Sequence, residues 1–227
     1  MRYLAFILMA FMSCPLAAQP ILESGRVLGP GNVLRETTLA GWPIQQGKDG
    51  YFGFIQHQVQ SSISRTPHSI WNRLEFRYAV AAGYSPNKLH VCALIGAQYL
   101  IYRAQSKHDW DLSAALTTSY LRGDQLLPQH KFWLAGTRMW NHTELNINGG
   151  ICQNYRESPL HWHFGAGILT PVHGKWYAHF EVYGQPDHNS ALQIGLEHRS
   201  TVMNTVFMII AAPGSVPGPT LVRYHIQ

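Results

Sequence analysis

Four side chains of the types that bind metal ions alternate along two neighbouring predicted strands. His161 and His163 lie on the first strand, and His179 and Glu181 lie on the second. Residues two apart on a strand point to the same side, so a tight hairpin would bring His163, or its neighbour Gly165, opposite Glu181. Imidazole and carboxylate groups bind divalent metals such as zinc. Paired strands nevertheless bring polar side chains together by default, so we predict no metal and no cofactor.

A second candidate for chemistry is the pair His188 and Ser190. Outer-membrane lipid hydrolases use a His-x-Ser pair, in which an acidic side chain orients the histidine that activates the serine. The nearest downstream acid, Glu197, has the opposite strand parity and points away. Asp187 and Ser190 also suit a capped turn. We therefore predict no catalytic residue and a protein that is not an enzyme, with a lipid-modifying hydrolase as an alternative.

Charged side chains recur on the polar faces of further predicted strands, as on Arg73, Glu75 and Arg77. Such a face suits a water-filled or salt-bridged interior, not a dry core. We predict that ten residues line the lumen of a barrel: Arg73, Glu75, Arg77, Glu144, His161, His163, His179, Glu181, Glu197 and Arg199. Two interpretations stay open, a selectivity lining for a passing solute and a set of salt bridges that closes a narrow barrel.

Amphipathic β-strands are the elements that must position these residues. Apolar and polar residues alternate with period two, whereas a helix would place apolar residues three and four apart. Pro, Gly, Asp and Asn fill the intervening turns. The predicted strands are Asn32–Leu39, Tyr51–Gln60, Trp71–Tyr84, Lys88–Arg103, Trp110–Arg122, Lys131–Asn141, Thr143–Tyr155, Leu160–Leu169, Trp176–Gly184, Ala191–Arg199, Val202–Ala212 and Thr220–Ile226.

Composition favours a membrane barrel over a soluble domain. Charged residues make up 13% of the 227 residues and aromatic residues 12%, whereas a soluble domain usually carries about 25% charged residues. A soluble β-sandwich or a lipocalin-like binding protein in the periplasm also has alternating strands and remains an alternative. Residues near predicted strand ends suit aromatic girdles at the membrane interfaces: Trp71, Tyr84, Trp110, Trp162, Trp176 and Tyr224.

The beginning of the sequence has the pattern of a secretory signal peptide. Arg2 precedes the apolar run Leu4–Met12, and small residues precede Gln19, which predicts cleavage after Ala18. We therefore predict a signal peptide at residues 1–18 and, at residues 19–227, a single all-β antiparallel transmembrane barrel of about 10–12 strands in the cell outer membrane.

The predicted partners are outer-membrane lipid, a small-molecule solute and the barrel-assembly machinery. Many outer-membrane barrels end in an aromatic residue that this machinery reads, whereas this sequence ends in Gln227. The net charge of +5 comes without any Lys/Arg run, so nucleic acid is not a predicted partner. Cys92 and Cys152 could form a disulfide in an oxidising compartment, or remain two isolated buried thiols.

The C-terminal third, roughly Asn141–Ile226, resembles the outer-membrane transporter barrels associated with phenol-degradation pathways. The resemblance rests on patterning and glycine placement: the strand LNINGG, the strand HFGAG, the run from Gly174 into HFEVYGQ, and the strand LQIGLEHR. It implies an outer-membrane barrel that passes small solutes, hydrophobic molecules among them. It implies no particular site residue.

Overall fold

The computed structural model describes residues 26–43, 51–64, 66, 69–85, 88–106, 108–122, 126–154, 160–185, 188–211 and 218–227. The predicted signal peptide at 1–18 lies outside these residues. Twelve strands follow one another: β1 Val33–Pro43, β2 Tyr51–Ser62, β3 Leu74–Ser85, β4 Lys88–Tyr102, β5 Trp110–Arg122, β6 Leu126–Trp140, β7 Thr143–Asn154, β8 Leu160–His173, β9 Trp176–Gln185, β10 His188–His198, β11 Asn204–Ala211 and β12 Gly218–Ile226.

Each strand pairs antiparallel with its neighbours in sequence, and the first strand pairs with the last. β1 and β12 run in register from Leu34 opposite Ile226 to Ala40 opposite Thr220. The sheet is therefore a closed barrel, in which no strand edge is left without a hydrogen-bonding partner. The predicted antiparallel barrel is confirmed, and the β-sandwich alternative is excluded.

The polar and apolar residues that alternate in the sequence lie on the inner and outer faces of the barrel wall. On β8, His163 is buried and faces the lumen, while Trp162 and Phe164 on either side of it are 66% and 47% exposed. Outward residues on the other strands are likewise large and apolar, for example Ile95 and Phe207. The outer surface is therefore apolar, as contact with lipid requires. No helix among the described residues is long and apolar enough to cross a membrane.

Several predicted strand boundaries differ from the structure, among them those of β6, β3 and β8. β6 begins at Leu126, so the segment from there to His130, predicted as loop, continues the ladder opposite β5. Ile70–Arg73 forms a 3-10 helix ahead of β3, capped by the Ser69 side chain, so the predicted strand from Trp71 begins late. β8 continues to His173, four residues beyond its predicted end at Leu169, with an irregular register after Pro171.

Candidate functional site

The structure places nine of the ten predicted lumen residues on inward-facing positions or at a strand end. Glu75, Arg77, His163, His179, Glu181 and Glu197 are buried; Glu144, His161 and Arg199 are half-buried. Arg73 differs, because it lies in the 3-10 helix at the barrel end, is exposed, and points a guanidinium nitrogen at the carbonyl oxygen of Ile101 at 3.5 Å. The inward residues form separate groups around the wall.

The first group lies on β3, β4 and β5. Arg77 Nε and one terminal nitrogen donate to Glu75 Oε1 at 3.1 and 2.9 Å. The same guanidinium donates to Gln98 Oε1, and Gln98 Nε2 donates to Ser113 Oγ at 2.6 Å. An ion pair with side chains only 5% and 2% exposed is thus extended by neutral hydrogen bonds. Hydrogen bonds of this kind offset the free-energy cost of burying the two charges.

The second group centres on Glu197, whose side chain is 0% exposed. His179 Nε2 lies 2.7 Å from Glu197 Oε2, and Arg199 Nε donates to Oε1 at 2.8 Å. The hydroxyl of Tyr224 on β12 donates to the same oxygen. Arg199 also stacks over the Tyr177 ring at 4.0 Å. This carboxylate ties β9, β10 and β12 together on the lumen side.

The four predicted metal-ligand residues do not form one cluster, although His179 Nδ1 lies 3.9 Å from Glu181 Oε1. The β8–β9 register places Glu181 opposite Gly167, not opposite His163 or Gly165 as expected. The reason is that β8 continues beyond its predicted end at Leu169, so the turn lies at 174–175. His163 is therefore four positions along β8, roughly 13 Å from that point. Among the residues described, no three His, Cys, Asp or Glu side chains are grouped as a metal site would need.

Trp133 on β6 is an inward aromatic residue with 0% exposure. The Lys131 ammonium lies 5.0 Å from its ring centroid, and the Arg77 guanidinium approaches from β3 at 5.9 Å. Two strands, β4 and β5, separate β3, which carries the arginine, from β6, which carries the tryptophan. The contact therefore crosses a chord of the lumen, and side chains narrow this half of the barrel.

Another sector of the lumen is apolar. Val206 and Met208 on β11 and Val222 on β12 are buried and pack with Leu34 and Tyr224. Tyr224 was expected in an aromatic girdle. It instead points inward, because the apolar face of β12 closes the barrel interior while Arg223 is exposed on the outside. The lumen thus contains an apolar sector on β1, β11 and β12 beside its charged groups.

The segment before β1 crosses the barrel end at which β1 begins and β12 ends, named here the terminal mouth. Arg26 donates from Nε to Asp111 Oδ2 and from a terminal nitrogen to Glu144 Oε2, both at 3.0 Å. Gln98 Nε2 donates to the Arg26 carbonyl at 3.2 Å, and the Leu28 backbone N–H donates to Glu75 Oε2 at 2.9 Å. The segment is held by side chains of four different strands.

The remaining candidates contribute little to the described lumen. The side chains of His188 and Ser190 lie outside the described residues. The acid considered for them, Glu197, is engaged with His179, Arg199 and Tyr224. Cys92 and Cys152 are free thiols on β4 and β7, so the structure has no disulfide between them.

Sequence reasoning missed several lumen residues. Asp111 shares its strand parity with Ser113 and could have been found from the polar face of β5. The sequence did not indicate that Trp133 faces the lumen, because an aromatic residue on a strand fits the lipid side equally well. Arg26 precedes the first strand and belongs to no alternating pattern, so the sequence did not predict which side chains it contacts.

Comparisons with known proteins support the fold. No protein-family model matches the sequence, and no curated protein matches it. The KdgM porin superposes with a TM-score of 0.61 at 6% identity, over 86% of this chain and 98% of the porin. An outer membrane channel from Pseudomonas putida F1 gives 0.66 at 6% identity, over 91% and 99%. The chain has the fold of outer-membrane channel barrels, and the prediction is confirmed at that level.

Proposed function

We propose that the protein is a channel for small solutes in the outer membrane and is not an enzyme. The observation that carries the proposal is the closed twelve-stranded barrel with an apolar exterior and a charged interior. The interior charges have a cost that a purely structural core avoids, whereas a solute path uses them. The KdgM porin, which shares the fold, has been solved in complex with disordered oligogalacturonate.

The apolar sector and the charged groups of the lumen together suggest the class of solute. The apolar sector around Val206, Met208 and Val222 offers contact to a hydrocarbon or ring surface. On β3, two strands from β1, Glu75 and Arg77 offer charged groups. We infer a preference for small amphipathic solutes, which includes the hydrophobic molecules expected from the sequence resemblance.

The charges of the lumen predict a weak preference for cations. Six carboxylates and four permanent cations face the interior among the residues described. The carboxylates are Glu36, Glu75, Asp111, Glu144, Glu181 and Glu197, and the cations are Arg26, Arg77, Lys131 and Arg199. In a KCl gradient across a planar bilayer, the reversal potential should have the sign of potassium selectivity. Anion selectivity would contradict this assignment.

The decisive experiment is reconstitution of the purified chain into planar bilayers and liposomes. We expect discrete conductance steps and uptake of small amphipathic solutes, with heat-modifiable gel mobility as the check that the barrel is folded. A folded barrel that conducts no ions and admits no solute would show that the protein is structural.

The enzyme alternative has a separate test. Replacing Ser190 by Ala, or His188 by Ala, should leave the lipid profile of the outer membrane unchanged. A loss of lipid hydrolysis in both variants, with the barrel still folded, would refute the non-enzymatic assignment.

A further inference from the structure

The geometry points to a plug function for residues 26–32: this segment closes the terminal mouth of the barrel and is released when Arg26 leaves its two carboxylates. The inference deepens the proposed channel function and rests on it, since a plug has a function only in a barrel whose lumen conducts solutes. Its basis is the path of the segment, its anchors and the turn that directs it inward.

The segment spans the mouth from wall to wall. It leaves β1 at Val33 and reaches Glu144 on β7 through the Arg26 guanidinium. β1 and β7 are six strands apart in a ring of twelve, which is the opposite side of the barrel. Twelve strands spaced about 4.8 Å apart and tilted about 40° enclose a backbone diameter of roughly 24 Å. The seven residues and the long arginine side chain can cover this span.

The anchors all lie at one level of the barrel. Glu75, Asp111 and Glu144 are each the second residue of their strands, β3, β5 and β7. Midway across, Leu28 packs against the apolar sector of β1, β11 and β12. The segment therefore lies flat across the opening, directly above the layer formed by Gln98 and Ser113.

A type II turn directs the chain into the mouth. Asn32 N–H donates to the Gly29 carbonyl at 3.0 Å, with Pro30 and Gly31 at the central positions. Gly31 has φ +77°, the conformation that the third residue of this turn requires and that glycine adopts without strain. The Gly31 N–H donates to the Ser64 carbonyl at 2.9 Å, which fixes the turn to the rim.

The Arg26 ion pairs suit a releasable contact. The arginine side chain is 39% exposed, and its partners Asp111 and Glu144 are 14% and 17% exposed. Water and salt reach such pairs, so each holds the segment only weakly and both together hold it well enough to favour the closed mouth. Neither carboxylate depends on Arg26 alone: Asp111 also accepts from the Ala104 N–H, and Glu144 from Asn146.

The test uses the full chain with Cys92 and Cys152 replaced by Ser, and Ser113→Cys as a reporter below the plug. Ser113 is 1% exposed and faces the lumen. We expect a water-soluble thiol reagent to modify Cys at this position slowly, and about tenfold faster after Arg26→Ala, because two ion pairs that together favour closure are lost. Arg35→Ala is the matched control, since Arg35 is exposed on the outer side of β1.

A second variant and a second readout complete the test. Glu144→Gln should also speed modification, by less than Arg26→Ala, because Asp111 still holds the guanidinium. Equal modification rates in the parent, Arg26→Ala and Glu144→Gln proteins would overturn the plug. Single-channel conductance is recorded on the same proteins, and we expect more frequent openings in Arg26→Ala. Absence of conductance in every protein would refute the channel proposal. The modification rates separately test whether residues 26–32 close the terminal mouth.

Discussion

Glu197 shows how single residues hold this barrel together from the inside. One carboxylate receives His179, Arg199 and Tyr224, which come from three different stretches of the chain. Its polar-face position was predictable from strand alternation, but its partners were not, because Tyr224 reaches it across the intervening strand β11. A buried carboxylate without such partners would be strongly unfavourable.

Replacing Glu197 by Gln should therefore destabilise the barrel considerably. The change removes the anion that His179 and Arg199 share, and the expected loss is about 3–5 kcal/mol, the usual cost of removing one partner of a buried ion pair. The shift in urea midpoint of the folded, heat-modifiable form in vesicles measures it.

Asp109→Asn is the control for this experiment. Asp109 lies in the loop after β4, where it accepts the exposed Ser106 N–H. We expect a change within about 0.5 kcal/mol, as for most surface substitutions. Equal effects of the two substitutions would mean that the Glu197 network does not stabilise the barrel.

At the scale of elements, glycine placement lets inward side chains pack. Gly150 on β7 lies in register between Trp133 on β6 and His163 on β8. A Cβ atom on this glycine would overlap the Phe132 carbonyl oxygen and lie 2.6 Å from Trp133 Cα. The strand therefore approaches its neighbour more closely than any side chain would permit. The adjacent Gly149 has no such constraint.

The pair Gly149 and Gly150 gives a matched test within one strand. Gly150→Ala should destabilise the barrel by about 1–3 kcal/mol, because the β6 backbone must move away. Gly149→Ala should have little effect, since its added Cβ would meet only the His163 carbonyl at 3.7 Å. Urea unfolding of the two variants compares them directly. A larger effect for Gly149→Ala would show that the inward approach is not limiting.

At the scale of the whole molecule, the outward residues form the surface that we assign to lipid. Ile95 is the eighth of fifteen residues of β4 and is 60% exposed, and Leu160 begins β8 and is 59% exposed. Among the described residues, the carboxylates carried on strands all point inward. A soluble barrel would instead carry charged side chains on its outer surface and bury apolar ones.

Substitution by arginine at these two positions tests the depth of the lipid belt. Ile95→Arg should cost about 2–4 kcal/mol in vesicles, whereas Leu160→Arg at the strand end should cost at most about 1 kcal/mol, because an interfacial arginine reaches the headgroups. Folding yield and urea midpoint in vesicles measure both. Equal costs at the two positions would be inconsistent with a membrane-spanning belt.

The sequence alone determined the class of fold and most strand positions. Period-two alternation is a local property, so β5 at Trp110–Arg122 was predicted with its observed bounds, and the inward parity of residues such as His179 followed from it. The predicted signal peptide cleavage after Ala18 stays a prediction, for which mass spectrometry of the mature chain is the measurement.

Tertiary structure decided closure, register and what crosses the lumen. The turn at 174–175 moved Glu181 away from His163, and pairing of β1 with β12 turned Tyr224 inward. Arg26 found its partners on β5 and β7, some 85 and 118 residues away in sequence. Alternation predicts on which face of the sheet a side chain lies. It does not predict which distant side chain lies opposite across the lumen, because the partner depends on the register and closure of all twelve strands.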